Sequence, residues 1–186
     1  MLTYKHPKAR TCEVCERVFV PDRMGQIVCR PACAMARVRQ AKKAERESVK
    51  KRKEAIKTIP DYIKEAQHAF NAYVRARDSA QPCICCGRTQ EAGYGTAAHG
   101  WDCGHYRSTG SASHLRFNED NAHRQLVICN RHGAGRAVDY RRGLINRIGL
   151  ARVEALETSN APHKWTREEL VSIRNFYRQK LKEIKP

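Results

Sequence analysis

Long apolar runs are missing from this chain. No stretch approaches the roughly 18 consecutive apolar residues of a membrane span, so a spanning helix is not expected. The N-terminal MLTYKHPKART leads into no apolar core of a secretory signal, which argues against export. Acids are scarce: 19 Asp and Glu stand against 36 Lys and Arg, for a formal net charge of +17 over 186 residues. Such a surplus favours a polyanionic partner over a merely solvated basic surface. No internal repeat is visible, and the length suits one ordinary domain with small appendages. A reduced, cytoplasmic setting follows, and there nine cysteines serve more often as metal ligands than as disulfides. Their odd number also argues against complete pairing.

The first cysteines are Cys12, Cys15, Cys29 and Cys33, spaced C-x2-C-x13-C-x3-C. Two tight thiolate pairs at loop distance can close a tetrahedral zinc site. Residues 18–20 and 26–28 read as a hairpin around the turn at 21–25. A module this small has almost no core, so the metal is expected to supply most of its folding free energy. Four thiolates leave no open coordination position, so the module is expected to dock rather than catalyse.

From 34 to 57 the chain is charged, helix-favouring and free of Pro and Gly. It predicts a long basic helix, with Lys50, Lys51, Arg52 and Lys53 as candidate phosphate contacts. A second helix is expected over 60–78. Pro60 and Asp61 suit its first turn, and Ile63, Ala66, Phe70 and Tyr73 share a core face. Thr166 and Glu169 form a capping box that opens a C-terminal helix carrying Leu170, Ile173, Tyr177, Leu181 and Ile184. Between these lies 81–149. Here Cys83-x2-Cys86 opens a knuckle, 97–107 reads as strand and return, 108–113 as loop, and 121–129 leads into a helix that stops at Gly149. The fold class is therefore α+β, divided as a zinc module (1–36), a basic arm (37–59) and a core with flanking helices (60–186).

The core stretch WDCGHYRSTGSASHLRFNEDNAHRQLVICNRH mixes hard and soft ligands. Hydrolysis of a phosphodiester needs a base titrating near neutrality and a cation that polarises the phosphate. His105 suits the base. Asp102 stands three residues before it and Asn121, Asn130 and His132 follow; Asp102 is the candidate ligand of a Mg2+ or Mn2+ site. Either Asn130 or His132 closes that site. Arg107 and Arg116 are candidate phosphate contacts. The pattern resembles the His-Asn-His (ββα-metal) nucleases, in which a strand presents the base, an Asn orients it or the hairpin, and a helix returns a last ligand.

The phrases PCICCG, WDCGHYRSTG, LRFNEDNAHRQ and CNRHGAGRAVDYRRGLINRIG resemble the phage lambda Rap/NinG recombination-endonuclease family. The four-cysteine module, the basic arm and YIKEAQHAFNAYVRARD match that family's order, so the likeness spans nearly the whole chain. It implies a bacteriophage endonuclease acting in the host cytoplasm on branched double-stranded DNA, including Holliday junctions and D-loops. His105 would be its general base, Asp102 its metal ligand and Asn121 the middle Asn. Structural Zn2+ at one or two sites would accompany the catalytic ion. Cutting a symmetric junction favours a homodimer.

One departure stands out. The family's second CxxC begins where this chain has Leu126. Cys83, Cys86 and Cys129 therefore need a fourth zinc ligand, with Cys103 as first candidate and Cys85 and His132 as others. A rival reading is a zinc-stabilised DNA-binding protein without catalysis. The Asp102, His105, Asn121 set argues against it, because a pure binder needs no base beside hard ligands.

Overall fold

The computed structural model describes residues 8–89 and 100–184. The start of the expected strand, 97–99, lies outside these residues. The chain divides into two units, Met1–Lys57 and Thr58–Pro186.

In the first unit β1 (Arg10–Thr11) pairs antiparallel with β2 (Val18–Phe19). The expected pairing of 18–20 with 26–28 does not form. The CxxC knuckle folds the chain back first, through bonds from Cys12 N–H to the Arg17 carbonyl (2.9 Å) and from Glu16 N–H to the Cys12 carbonyl (3.0 Å). The Gln26 side chain then closes the later turn onto Asp22 N–H and the Val28 carbonyl. Helix α1 (Pro31–Ala55) follows, with Pro31 at its first position, where no N–H is needed, and Arg52 and Lys53 in its last turn. It is exposed along most of its length, Cys33 being its buried residue.

The second unit opens with α2 (Ile59–Arg77), started by Thr58, whose N–H donates to the Asp61 carboxylate at 2.9 Å. Two further strands, β3 (Trp101–His105) and β4 (Ala122–Leu126), form an antiparallel hairpin in which Trp101 faces Leu126 and His105 faces Ala122. A π turn at Ile128–His132 leads to α3 (Ala137–Ile148), α4 (Leu150–Thr158) and α5 (Arg167–Ile184). Gly149, at φ +86°, lets the chain turn between α3 and α4; α4 is an element that the sequence reading stopped short of. Thr166 N–H donates to the Glu169 carboxylate at 2.8 Å and Glu169 N–H donates to Thr166 Oγ1 at 3.3 Å, the reciprocal pair of a capping box.

The main core lies between α2, α5 and the hairpin. Phe70 is fully buried and meets Tyr177 (centroids 4.9 Å apart), Phe117 (5.8 Å) and His105 (6.0 Å). A second core joins α3 and α4 through Tyr140, Leu144, Val153 and Leu156, with Ile84, Ala112 and Leu115. The α3 backbone reaches the cysteine loop at Gly143, where an added Cβ would lie 1.8 Å from the Ile84 carbonyl oxygen. Among the described residues no helix is long and apolar enough to cross a membrane.

Phe70→Ala should destabilise the protein by about 3–5 kcal/mol through lost transfer energy and a cavity. Val138→Ala, at a position 68% exposed, should change stability by less than about 0.5 kcal/mol. Urea denaturation followed by circular dichroism checks both.

Candidate metal centres and hairpin site

Two sets of thiols converge. Within each set, Cys12, Cys15, Cys29, Cys33 and Cys83, Cys85, Cys86, Cys129, all sulfurs lie within 4.8 Å of one another. Zinc bonds of about 2.3 Å in a tetrahedron place sulfurs about 3.8 Å apart. The Cys15–Cys29, Cys29–Cys33 and Cys83–Cys85 separations are 3.4, 3.7 and 3.5 Å. All nine cysteines are free of disulfides. Both donor sets therefore fit a structural zinc ion.

In the second set a neighbouring thiol and the backbone together favour a thiolate at Cys83. Cys83 is pushed down to about 4, first by the hydrogen bond from Cys85 and then, against burial, by the N–H groups of Leu126 and Cys86. Leu126 contributes its N–H to Cys83 Sγ at 3.3 Å. Gln125 Nε2 lies 3.4 Å from Cys85 Sγ.

Cys85, rather than Cys103, completes this set, which corrects the first choice made from the sequence. Strand alternation turns Cys103 toward α2, where it is buried in the main core with Phe70 and Ala122. Burial there pushes its thiol up to about 12. His132 is exposed and belongs to neither set.

The same alternation divides the expected catalytic residues. His105 and Cys103 face α2. Asp102 and Gly104 face the π turn and α3, because successive strand side chains point to opposite sides. Asp102 accepts from Asn130 Nδ2 at 2.9 Å and, in a two-pronged contact, from Arg131 Nε at 2.8 Å and Nη2 at 2.9 Å. Burial alone would raise its carboxyl; the Arg131 and Asn130 bonds outweigh that and hold it below the usual range. Asp102 and Asn130 are brought together, whereas His105 lies three residues farther along β3, about 10 Å of strand rise.

His105 is half-buried. Its Nε2 lies 3.1 Å from the Arg116 carbonyl, a contact in which the ring must donate. Desolvation pushes its pKa below the ordinary value, against the opposing effect of that carbonyl. Asn121 is fully buried. Its Oδ1 accepts from Arg107 N–H at 2.8 Å, and its Nδ2 donates to the carbonyls of Arg107 (3.0 Å) and Leu115 (3.2 Å). It clamps the loop joining β3 to β4. Beside it His123 is buried and neutral, pushed down to about 3 by desolvation and then by Arg77.

Arg107 does not project toward a ligand. Its guanidinium donates to the carbonyls of Leu156 (2.9 Å) and Ser159 and to Asn160 Oδ1 (3.0 Å), closing the C-terminus of α4. Arg116 donates to Gln67 and to the Thr109 carbonyl, and its Nε is buried without a partner. Both arginines act as internal ties in place of the expected phosphate contacts. Lys50, Lys51, Arg52 and Lys53 are exposed on α1. Two residues escaped the sequence reading. Arg131 carried no signal beyond its place in CNRH. Tyr140, which donates to the Gly104 carbonyl (2.9 Å) and accepts from His123 N–H (3.1 Å), looked like an ordinary helix residue.

Small strands, flanking helices and two cysteine clusters that could bind zinc define a mixed α+β protein. The chain belongs to the NinG family: the family described as Bacteriophage Lambda NinG protein matches residues 4–186. It is 38% identical to the protein ninG of Escherichia phage lambda over 200 residues, covering 96% of this chain and 95% of that one. It is 39% identical to the ninG protein of Salmonella phage P22 over 192 residues, covering 93% and 91%. No solved structure matches it.

Cys85→Ser should lower bound zinc from two equivalents per chain to about one, while Cys103→Ser keeps both. Elemental analysis of the purified proteins checks this.

Proposed function

We propose that this protein is a metal-dependent endonuclease acting on branched double-stranded DNA, such as Holliday junctions and D-loops, in phage recombination. The observation that carries the reading is the Asn121 clamp, set behind a strand that ends in His105 and ahead of a helix packed on the same hairpin through Tyr140. That is the strand–strand–helix order of the His-Asn-His nucleases.

The roles follow from the chemistry of each side chain. With Nε2–H donated to the Arg116 carbonyl, Nδ1 is the nitrogen of a neutral His105 that can accept a proton from water; the Cys103 carbonyl also lies against the ring and favours its charged form. Its depressed pKa keeps the ring neutral, hence basic, at physiological pH. Asn121 holds the loop that carries Arg116 and so the ring's orientation. Asp102 and the amide oxygen of Asn130 are the oxygen donors that suit Mg2+ or Mn2+, ions often held by one or two carboxylates with water and substrate phosphate completing the shell. A bound ion would polarise the phosphate and stabilise the leaving oxygen. His132 and Arg131 lie on the same turn, at the exposed side of that pair.

A second reading, a zinc-stabilised DNA-binding protein without catalysis, is favoured by one observation. Both Asp102 oxygens are engaged by Arg131 while His105 faces Phe70 on the other side of the strand.

A labelled four-way junction incubated with Mg2+ or Mn2+ separates the two. The nuclease reading expects cutting by the wild type, unchanged binding by His105→Ala, and a loss of rate of about 10²–10⁴-fold in that variant. Binding without cutting by the wild type in every divalent ion tried leaves the second reading. The base must be unprotonated to act, so the rate should fall as pH drops through the His105 pKa. Because that pKa is lowered from the ordinary 6.5, the acid limb of kcat/KM should have its midpoint below pH 6.5. A midpoint above 6.5 would assign the base elsewhere.

A further inference from the structure

The basic residues of α1 are not spread evenly around it. An α-helix turns about 100° per residue. At that pitch Arg39, Lys42, Lys43, Arg46, Lys50 and Lys53, spaced i, i+3, i+4, i+7, i+11 and i+14, fall within a stripe about 100° wide. The acids Glu45, Glu47 and Glu54 fall outside it. Of the remaining basic residues, Arg37 is paired with Glu13 at 2.9 Å, and Lys51 and Arg52 point to other sides. The run of Lys50 to Lys53 is thus a block in sequence but not on the surface; only its two ends belong to the stripe.

All six stripe residues are exposed. Among the described residues none of them has an ion pair or a side-chain hydrogen bond. Six unpaired cations in a row repel one another, and the helix gains nothing internal by keeping them together. The stripe runs about 21 Å from Arg39 to Lys53 at 1.5 Å per residue. Duplex DNA carries a phosphate every 3.4 Å of axis along one strand, so this length matches about six base pairs. An anionic membrane is a poorer fit. Met35, Val38 and Val49 are the only large apolar residues of the helix, too few for the broad apolar face of an interfacial helix.

We propose that α1 is a rail for duplex DNA, with this stripe laid along the phosphates of one arm of the substrate. The proposal rests on the reading of branched DNA as the ligand and adds the surface that holds it. Contacts of this kind position the duplex and carry no sequence information. They suit a substrate recognised by shape, whose arms differ in sequence.

The test compares two variants of equal charge in the full-length protein: Lys43→Gln with Arg46→Gln on the stripe, and Lys51→Gln with Arg52→Gln off it. Binding to a labelled junction and to linear duplex is followed by fluorescence anisotropy between 50 and 200 mM salt, without added divalent ions. Each phosphate contact contributes about 0.9 to the slope of log K against log salt. The stripe variant should therefore lose about two units of slope, so that its affinity changes about tenfold less than the wild type's over that range. The off-stripe variant should keep the wild-type slope. Equal slopes for the two variants, or binding to anionic vesicles in preference to DNA, would overturn the rail. Wild-type cutting measured in parallel keeps the readings apart. Loss of the slope difference with cutting intact removes only the rail, and absence of cutting with the slope difference intact removes only the nuclease.

Discussion

One buried amide holds the second unit to its plan. Asn121 has no solvent to satisfy it, and its side chain instead makes three bonds to backbone groups of the loop that joins β3 to β4. Two of those bonds reproduce, on Arg107, the donor–acceptor pair of a strand neighbour. The hairpin is thereby continued past its last backbone rung, and the register of His105 opposite Ala122 is kept. A register shift of one residue would turn every side chain of the strand to the other face. Removing the amide would leave the N–H and the carbonyl of Arg107 unpaired, each at about 1–3 kcal/mol when buried, while the Leu115 carbonyl would keep the Asn118 N–H at 3.2 Å.

From that register the two faces of the hairpin acquire separate surroundings. On the side of α2, Cys103 and His105 meet an aromatic core in which desolvation governs: it raises the thiol and lowers the imidazole. On the side of α3, Asp102 meets Asn130 and Arg131, and hydrogen bonds outweigh desolvation. Tyr140 ties α3 to both strands through one hydroxyl, and Gly143 brings the same helix against the cysteine loop. The sulfur cluster, the hairpin and α3 are therefore one assembly, and a change at the cysteines reaches the site through short, well-packed contacts.

The first unit is built differently. Its strands are two residues long, and four thiols converge where a larger domain would have apolar side chains. The second unit has ordinary cores of its own and uses its four thiols as a clamp at the end of the hairpin. Leu126 keeps the backbone hydrogen bond of the position it occupies, and Cys85 brings the sulfur from the facing loop.

The sequence by itself determined the local elements. Helices α1, α2 and α5 were legible because apolar spacing, Pro60 and Asp61 in the first turn of α2, the Thr166–Glu169 cap and the absence of Pro and Gly from 34 to 57 are all local signals. So were the count of thiols and their division into two sets. Tertiary structure decided what depends on reach and direction. Cys85 and Cys103 are indistinguishable as thiols in a sequence, and only the strand's alternation sends one to the cluster and the other into the core. Asp102 and His105, three apart, suggested one site, yet an odd offset along a strand places them on opposite faces. Arg107 and Arg116 looked like free cations until the carbonyls at the end of α4 and at Thr109 came within their reach. Of the basic run at Lys50 to Lys53 only the two ends join the stripe once the chain is wound on a helix, because at 3.6 residues per turn neighbours in sequence part company, while residues three, four and seven apart meet.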